Sequence, residues 1–183
     1  MKHLAFTGVI AALALGIFSG VSFAQKRRPP TNQPLPHVIK NCPASGLTDA
    51  EVADLLAAHN KQRQKVNTPP LRWDCTLGSA AASWAAKGTF GHSSTSFGEN
   101  IFVSANSADN VTEAVDKWED EEHHWKNKTA TCESGKVCTH YTQLVWRSTT
   151  KIGCAVNRQV SGKWKLILVC NYDPAALAAV PAY

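Results

Sequence analysis

Apolar residues recur at intervals of three and four positions in two segments of the first half of the chain, and this spacing predicts two helices. The first helix begins at Thr48, which forms a capping box with Glu51, and it ends before the proline pair at Pro69. The second helix spans residues 77–87 and ends at Gly88. Because this second helix is rich in alanine, we expect it to pack closely against its neighbour.

A third segment with helical spacing starts near Ser107 or Asp109 and continues to about Trp125. Its apolar positions form one stripe, which consists of Val111, Ala114, Val115, Trp118 and Trp125. The stripe passes between Glu121 and Glu122, so periodicity alone does not decide which of the two carboxylates faces inward. The alternative is that both belong to a solvated acidic face, as runs of like charge usually do.

Runs of β-branched and aromatic residues predict three strands, at residues 97–104, 151–158 and 164–172. Residues 126–138 are predicted to form a loop closed by cysteines, and residues 140–147 fit either a helix or a strand. Helices and strands in this order predict an α+β fold in which a sheet lies between two helical layers, a three-layer α-β-α sandwich.

The chain opens with an apolar run over residues 4–21, directly after the basic start at Lys2. Ser22-Phe23-Ala24 then forms a small-x-small cleavage site, so residues 1–24 are predicted to be a signal peptide cut after Ala24. The run is nearly long enough to span a bilayer and a basic cluster follows it, which leaves a membrane anchor as the alternative. The cleavage site favours secretion, and we expect no transmembrane segment in the mature chain.

Residues 25–46 carry five prolines among polar and basic residues and are predicted to form an extended linker arm. The 183-residue chain is long enough for one mature domain behind this arm. Its formal charge is +5, but the basic residues are spread out and form no dense stripe between aromatic residues. Nucleic acid is therefore not an expected partner.

Six cysteines follow the predicted signal peptide: Cys42, Cys75, Cys132, Cys138, Cys154 and Cys170. An even number behind a secretory leader predicts an oxidising, extracellular setting and three disulfides. Six cysteines allow fifteen pairings, so their number alone does not select one. A zinc finger is disfavoured because no two of these cysteines have the Cys-x2-Cys spacing.

Several short motifs in the second half of the chain combine into a specific pattern. His140-Tyr141-Thr142-Gln143 opens an aromatic and apolar run, and Cys170-Asn171-Tyr172-Asp173-Pro174 ends the last predicted strand. Upstream lie Gly91-His92-Ser93, Gly98-Glu99-Asn100 and the Trp-x-x-Glu spacing from Trp118 to Glu121. Over residues 47–174 the chain resembles the CAP family (cysteine-rich secretory proteins, antigen 5 and pathogenesis-related 1), which leaves residues 175–183 as a tail. The resemblance implies the sandwich fold of secreted pathogenesis-related-1-like proteins and a short helix at residues 140–147.

The resemblance also implies a central cleft lined by two histidines and two glutamates, at His92, Glu99, Glu121 and His140. His92 and His140 would bind a divalent metal such as Zn2+ weakly, and we expect them within reach of one ion. A hydrolytic zinc site usually has three protein ligands, so no catalytic residue is assigned. If the cleft catalyses a reaction, Glu99 and Glu121 are the candidate catalytic residues. The alternative is a metal-free, hydrogen-bonded cluster. His59, on the apolar face of the first helix, is expected to be a buried structural histidine.

One disulfide pairing follows from how the cysteines are placed. Cys132 and Cys138 close a short loop, and Cys154 and Cys170 lie on strands joined by a short turn, where they can sit opposite each other. Cys42 then pairs with Cys75 and ties the arm to the second helix. Two of these spacings also resemble those of plant members of the CAP family.

The leading interpretation is a secreted, non-enzymatic binding protein for a sterol, a fatty acid or a partner in host–microbe contact, as the resemblance implies. Trp125 is the candidate contact for an apolar ligand, although aromatic residues at helical spacing are more often part of the core. One alternative is a metal-dependent hydrolase that uses the histidine–glutamate cleft. The other is an extracellular scaffold that binds a cell-surface or host protein.

Overall fold

The computed structural model describes residues 40–183. The predicted signal peptide, residues 1–24, and most of the predicted linker arm, residues 25–46, lie outside this range. Within it, no helix has both the length and the apolar character needed to cross a membrane.

Four helices and six strands are present in residues 40–183. The helices are α1 (Asp49–Lys65), α2 (Cys75–Ala85), α3 (Glu113–Glu119) and α4 (Thr139–Val145). The strands are β1 (Arg72–Trp73), β2 (Gly98–Ser104), β3 (Trp125–Lys126), β4 (Thr131–Cys132), β5 (Lys151–Asn157) and β6 (Leu166–Asp173). The main sheet has the order β1-β5-β6-β2, in which only the β1–β5 pair is parallel, and β3 and β4 form a separate antiparallel ribbon.

The central strand β6 is buried on both faces and separates two apolar cores. Its residues Leu166, Leu168, Cys170 and Tyr172 belong to the larger core, together with residues of α1, α3 and α4. Its alternate residues Ile167 and Val169 belong to a smaller core, which α2 covers through Ala81 and Ala85. Because successive strand residues point to opposite faces, one strand serves both cores. The α+β class and the three-layer sandwich predicted from the sequence are confirmed.

Helix α2 lies against β5 because both elements contribute a glycine at the contact. A Cβ atom at Gly153 would lie 2.2 Å from the backbone nitrogen of Gly78 and 2.3 Å from the carbonyl oxygen of Asp74. Any side chain at Gly153 would therefore push the start of α2 away from the sheet. This contact, and not the alanine content alone, accounts for the close packing of α2.

The first turns of α1 and α2 follow local sequence signals. Thr48 Oγ1 accepts a hydrogen bond from the Glu51 backbone at 3.2 Å, and Glu51 Oε2 accepts one from the Thr48 backbone at 2.8 Å, which is the predicted capping box. Helix α2 begins at Cys75, two residues earlier than predicted, because Asp74 caps it and accepts from the backbones of Thr76 and Leu77.

The third helix is shorter than the sequence predicts. It begins at Glu113, and a 3₁₀ turn, Asp120–His124, continues it to the edge of Trp125. The preceding residues are held as a loop because Arg158 donates to the carbonyl oxygens of Ser107 and Asp109 at 2.7 and 3.0 Å. This long-range contact overrides the helical spacing of the segment.

The β3–β4 ribbon, which begins at Trp125 and continues into the predicted loop at residues 126–138, was not predicted from the sequence. Each of its strands has only two residues, too few for an alternating pattern to be visible. Residues 140–147, which fitted either a helix or a strand, are helical as far as Val145, since α4 spans Thr139–Val145.

Residues 40–183 contain three disulfides, and their pairing is the predicted one. Cys42 joins Cys75, Cys132 joins Cys138, and Cys154 joins Cys170. The last pair bridges directly opposite positions of β5 and β6. No free cysteine is present in this part of the chain.

The guanidinium of Arg63, near the end of α1, is fully buried and is bound by backbone carbonyls. Its nitrogens donate to the carbonyl oxygens of Pro69, Leu144, Trp146 and Thr149 at 2.7–3.2 Å. Burial lowers the pKa of Arg63 to about 10, so the side chain stays charged at neutral pH. It fastens α1 to the carboxyl end of α4 and to the segment that leads into β5.

Replacing Arg63 by leucine is expected to lower the free energy of unfolding by at least about 3 kcal/mol, because four carbonyl oxygens lose a charged donor in the interior. Chemical denaturation of the disulfide-intact protein measures this change. The exposed Arg147 is the matched control, and Arg147→Leu should change stability by less than about 0.5 kcal/mol. Equal effects of the two substitutions would contradict the proposed role of Arg63.

Candidate functional site

The predicted cleft residues form two histidine–carboxylate pairs. In the first pair, Glu99 Oε1 accepts a hydrogen bond from His92 Nδ1 at 2.9 Å and one from the backbone of Ser93 at 2.8 Å. The Glu99 side chain is only 5% exposed, whereas that of His92 is 67% exposed. A buried carboxylate on β2 thus holds an imidazole whose other edge faces solvent.

In the second pair, Glu121 binds both the side chain and the backbone of His140. Glu121 Oε1 accepts from His140 Nδ1 at 2.5 Å, and Oε2 accepts from the backbone nitrogens of His140 and Tyr141 at 3.0 and 3.1 Å. These nitrogens belong to the first turn of α4, where a carboxylate is favoured by the helix dipole. The structure therefore selects Glu121, and not Glu122, as the inward carboxylate.

A buried hydrogen-bond chain connects α1 to the backbone of His140. His59 Nδ1 donates to the Leu55 carbonyl at 2.7 Å, so its Nε2 is the acceptor for the Tyr172 hydroxyl at 2.8 Å. Asn100 Nδ2 lies 3.4 Å from the same hydroxyl and 3.0 Å from the His140 carbonyl oxygen. This chain joins α1, β6, β2 and α4, and it places Asn100, the neighbour of Glu99, against the residue that carries the second imidazole.

Burial lowers the pKa of His59 to about 4, in spite of the raising effect of the Leu55 carbonyl, and the nearby charge of Arg63 lowers it further. Burial also raises the pKa of Tyr172 well above its ordinary value. Both groups are therefore neutral at pH 7. His59 is the buried structural histidine that the sequence predicts.

The hydrogen bonds of the two pairs leave one nitrogen of each imidazole available for a ligand. Because a carboxylate accepts a hydrogen bond from Nδ1 of both His92 and His140, Nε2 is the nitrogen of each ring that is left for a ligand. A carboxylate behind a histidine is the usual outer partner of a metal ligand. Glu99 Oε2 is in addition buried without a hydrogen-bond partner. The donor set thus fits a divalent cation.

The same residues also limit how tightly a cation can be held. Within residues 40–183, no three histidine, cysteine, aspartate or glutamate side chains converge as a metal centre. Two imidazole nitrogens alone leave half of the tetrahedral coordination shell of zinc to water. A shared ion between His92 and His140 remains a prediction, and weak binding is the form in which we expect it.

The two tryptophans of the predicted apolar stripe have different environments. Trp118 is part of the larger core, and its ring stacks on that of His140 with the centroids 6.3 Å apart. Trp125 is half-buried at the start of the β3–β4 ribbon, and its Nε1 donates to Asn127 Oδ1 at 3.2 Å. Trp118 therefore supports the site, and only Trp125 reaches the surface.

Trp125 borders an open groove of about 440 Å³ between the Cys132–Cys138 loop and the chain after β6. Its apolar lining includes Val137 and Leu177, which are 54% and 64% exposed. We call this space the Trp125 groove. Its volume lies within the range of small-molecule sites in proteins.

Sequence analysis missed several residues that position this site. Arg63, Asn100 and Gln143 act through backbone groups or amides, and such contacts leave no recognisable spacing in a sequence. A Cβ atom at Gly98 would lie 2.0 Å from Gln143 Oε1, so the glycine beside Glu99 is required by packing. The Gly98-Glu99-Asn100 motif was the available signal, because all three of its members have a role.

Comparisons with known proteins agree on one family. The profile of the cysteine-rich secretory protein (CAP) family matches residues 56–172. Pathogenesis-related protein 1A1 of Solanum lycopersicum is 39% identical over 125 residues, which cover 66% of this chain and 70% of the relative. Pathogenesis-related protein 1B of Nicotiana tabacum is 36% identical over 125 residues, covering 66% and 73%. The crystal structure of NaASP2 with Zn2+ superposes with a TM-score of 0.66 at 26% identity and covers 78% of this chain and 90% of that one.

The buried His59 predicts a loss of stability in mild acid. Its folded pKa of about 4 lies below the ordinary value of 6.5, so the unfolded chain binds the proton first as the pH falls. The stabilisation is complete above pH 6.5 and decreases by about 3 kcal/mol between pH 6.5 and 4. Denaturation curves across this interval measure the slope, and His59→Gln should flatten it by that amount. An identical slope in both proteins would contradict this assignment.

Proposed function

This chain belongs to the cysteine-rich secretory protein (CAP) family, and we propose that it is an extracellular binding protein that captures an apolar ligand in the Trp125 groove. The observation that carries the proposal is the groove itself, which is lined by the half-buried Trp125 and by the exposed Val137 and Leu177. Secretion fits the three disulfides, which persist in oxidising compartments.

The chemistry of the groove suits a sterol or a fatty acid. Trp125, Val137 and Leu177 supply apolar surface, and each 100 Å² of such surface covered by a ligand contributes about 2.5 kcal/mol. Lys136 and Thr139 also line the groove and offer a cation and a hydroxyl. These groups would bind the polar end of the ligand, a carboxylate or a hydroxyl, while its apolar body lies against Trp125.

The disulfide Cys132–Cys138 gives one wall of the groove its shape. It closes a loop of few residues, so the wall is constrained before a ligand arrives. A preformed wall lowers the ordering cost of binding. A rigid loop of this kind favours a ligand that matches the groove over a range of unrelated ligands.

We infer that the histidine–glutamate cleft holds a divalent cation weakly. His92 and His140 would bind it through Nε2, with Glu99 and Glu121 fixing the two imidazoles from behind. When bound, such an ion polarises a coordinated water or carbonyl oxygen. The presence of Zn2+ in the crystal structure of NaASP2 supports this inference, since that structure shares the fold at 26% identity.

Hydrolysis through this cleft is the competing function. It would need a tightly held metal-bound water and a general base, for which Glu99 and Glu121, the carboxylates beside the two imidazoles, are the candidates. Two histidine ligands are fewer than the three of hydrolytic zinc sites. We therefore propose binding without turnover. Cell-surface or host proteins are candidate partners of the same extracellular domain.

Trp125→Ala is expected to weaken the binding of a fluorescent sterol or a fluorescent fatty acid by at least about tenfold, because the ring supplies apolar contact area. His92→Ala/His140→Ala should leave this affinity within about twofold. Trp164→Ala, which removes a half-buried tryptophan from the other side of the sheet, is the matched control. Circular dichroism confirms that each variant is folded before titration.

The opposite result would favour the enzyme. If the double histidine variant loses binding or biological effect while Trp125→Ala retains both, the cleft and not the groove is the working site. If Trp125→Ala and Trp164→Ala weaken binding equally, the groove has no special role.

Zinc titration by calorimetry is expected to show one weak site that His92→Ala/His140→Ala removes. Glu99→Gln should lower the zinc affinity by about tenfold or more, since it replaces the charged outer partner of His92 by a neutral amide. His123→Ala/His124→Ala removes a neighbouring surface pair and should leave the site unchanged. Loss of zinc binding only in this last variant would assign the ion to the surface histidines.

A further inference from the structure

Aromatic and basic side chains lie together at the end of α2. They lie on the face of the sheet opposite to helix α4. The residues are Trp84, Lys87, Phe90, Lys163 and Trp164, and we call them the aromatic–basic patch. Trp84 lies in the last turn of α2, Lys87 and Phe90 follow that helix, and Lys163 and Trp164 lie in the connection between β5 and β6. A Cβ atom at Gly88 would touch Val160 Cγ1 at 3.4 Å, which shows that these two segments are in contact.

The apolar part of the patch continues outward from the smaller core. Trp84 and Trp164 pack against that core and are half-buried, whereas Phe90 is 58% exposed. The rings of Phe90 and Trp164 meet edge to face with their centroids 6.2 Å apart. The Trp84 ring is held in place by a hydrogen bond, which its Nε1 donates to the Gly91 carbonyl oxygen at 2.7 Å. The exposed Phe90 thus lies beside a half-buried tryptophan of the smaller core.

The charge of the patch has one sign. Lys87 Nζ lies 4.2 Å from the centre of the Trp84 ring, and Lys163 Nζ lies 4.4 Å from that of Trp164. Residues 75–98 and 158–172, which build this end of the molecule, contain no aspartate or glutamate. Six of the 14 acidic residues lie instead within residues 113–122, on α3 and the turn that follows it. The lysines therefore lack a nearby carboxylate from their own segments.

This combination favours a membrane surface over an acidic polysaccharide. Sugars stack on the flat faces of exposed aromatic rings, but here an ammonium group lies over one face of each indole. The groups left for a partner are the exposed phenylalanine, the ring edges and the lysine ammonium groups. Aromatic residues at the headgroup level beside lysines that reach lipid phosphates are the typical pattern of interfacial binding.

We propose that the aromatic–basic patch docks on the surface of a bilayer that contains anionic phospholipids. Phe90 enters the boundary between headgroups and acyl chains, and Lys87 and Lys163 contact lipid phosphates. The patch is separate from the Trp125 groove, so this interaction does not depend on the ligand proposed for the groove.

Co-sedimentation of the purified, disulfide-intact protein with vesicles tests this proposal. The protein is expected to bind vesicles of phosphatidylcholine with 30 mol% phosphatidylserine, at about 0.1 M salt, and not vesicles of phosphatidylcholine alone. Lys87→Glu/Lys163→Glu should weaken this binding by at least about tenfold. Lys61→Glu/Lys128→Glu makes the same change in net charge at exposed positions elsewhere and should stay within about twofold of wild type. Phe90→Ser should weaken binding without changing the net charge.

Three results would overturn the proposal. Equal losses in the two charge-reversed variants would mean that binding follows net charge and has no docking site. Equal binding to neutral and anionic vesicles, or to neither, would remove the role of lipid charge. Binding of a sulfated polysaccharide through Lys87 and Lys163, without binding to anionic vesicles, would assign the patch to a carbohydrate partner.

Discussion

The structure depends on a short helix that is held at its two ends by opposite charges. Helix α4 has seven residues, too few to be stable by itself. The Glu121 carboxylate binds backbone nitrogens of its first turn, and the Arg63 guanidinium binds carbonyl oxygens at and beyond its last turn. Both charges match the helix dipole. Because Arg63 lies on α1 and Glu121 follows α3, this helix connects two other helices and places His140 at its start.

The His140–Glu121 pair is an extension of the core, whereas His92 is exposed and is held by the buried carboxylate of Glu99. Glu121 caps a helix and also holds an imidazole, and Asn100 contacts both the Tyr172 hydroxyl and the His140 carbonyl. Tyr172 in turn receives its position from His59, a fully buried residue of α1. The geometry of the His140–Glu121 pair is therefore maintained by the same contacts that maintain the fold.

The elements that local sequence governs could be predicted, and those that depend on distant backbone groups could not. The Thr48–Glu51 capping box and the opposed cysteines of β5 and β6 involve neighbouring or paired residues, and both were recognised. The choice of Glu121 over Glu122 required a family motif, because periodicity did not distinguish them. The late start of α3 follows from Arg158, and the position of α4 from Arg63; in both cases the partners are carbonyl oxygens, which every residue carries. No side-chain pattern reports such contacts.

The two cores on either side of β6 allow the two faces of the sheet to change independently of each other. Residues that point to one face of the strand share no packing neighbours with those that point to the other, and substitutions without shared partners have nearly additive effects. The face covered by α2 can therefore accumulate changes in its core while the opposite face keeps the Glu121–His140 pair in place. Related chains could therefore keep the residues of one core while those of the other core change, because the sheet separates the two cores.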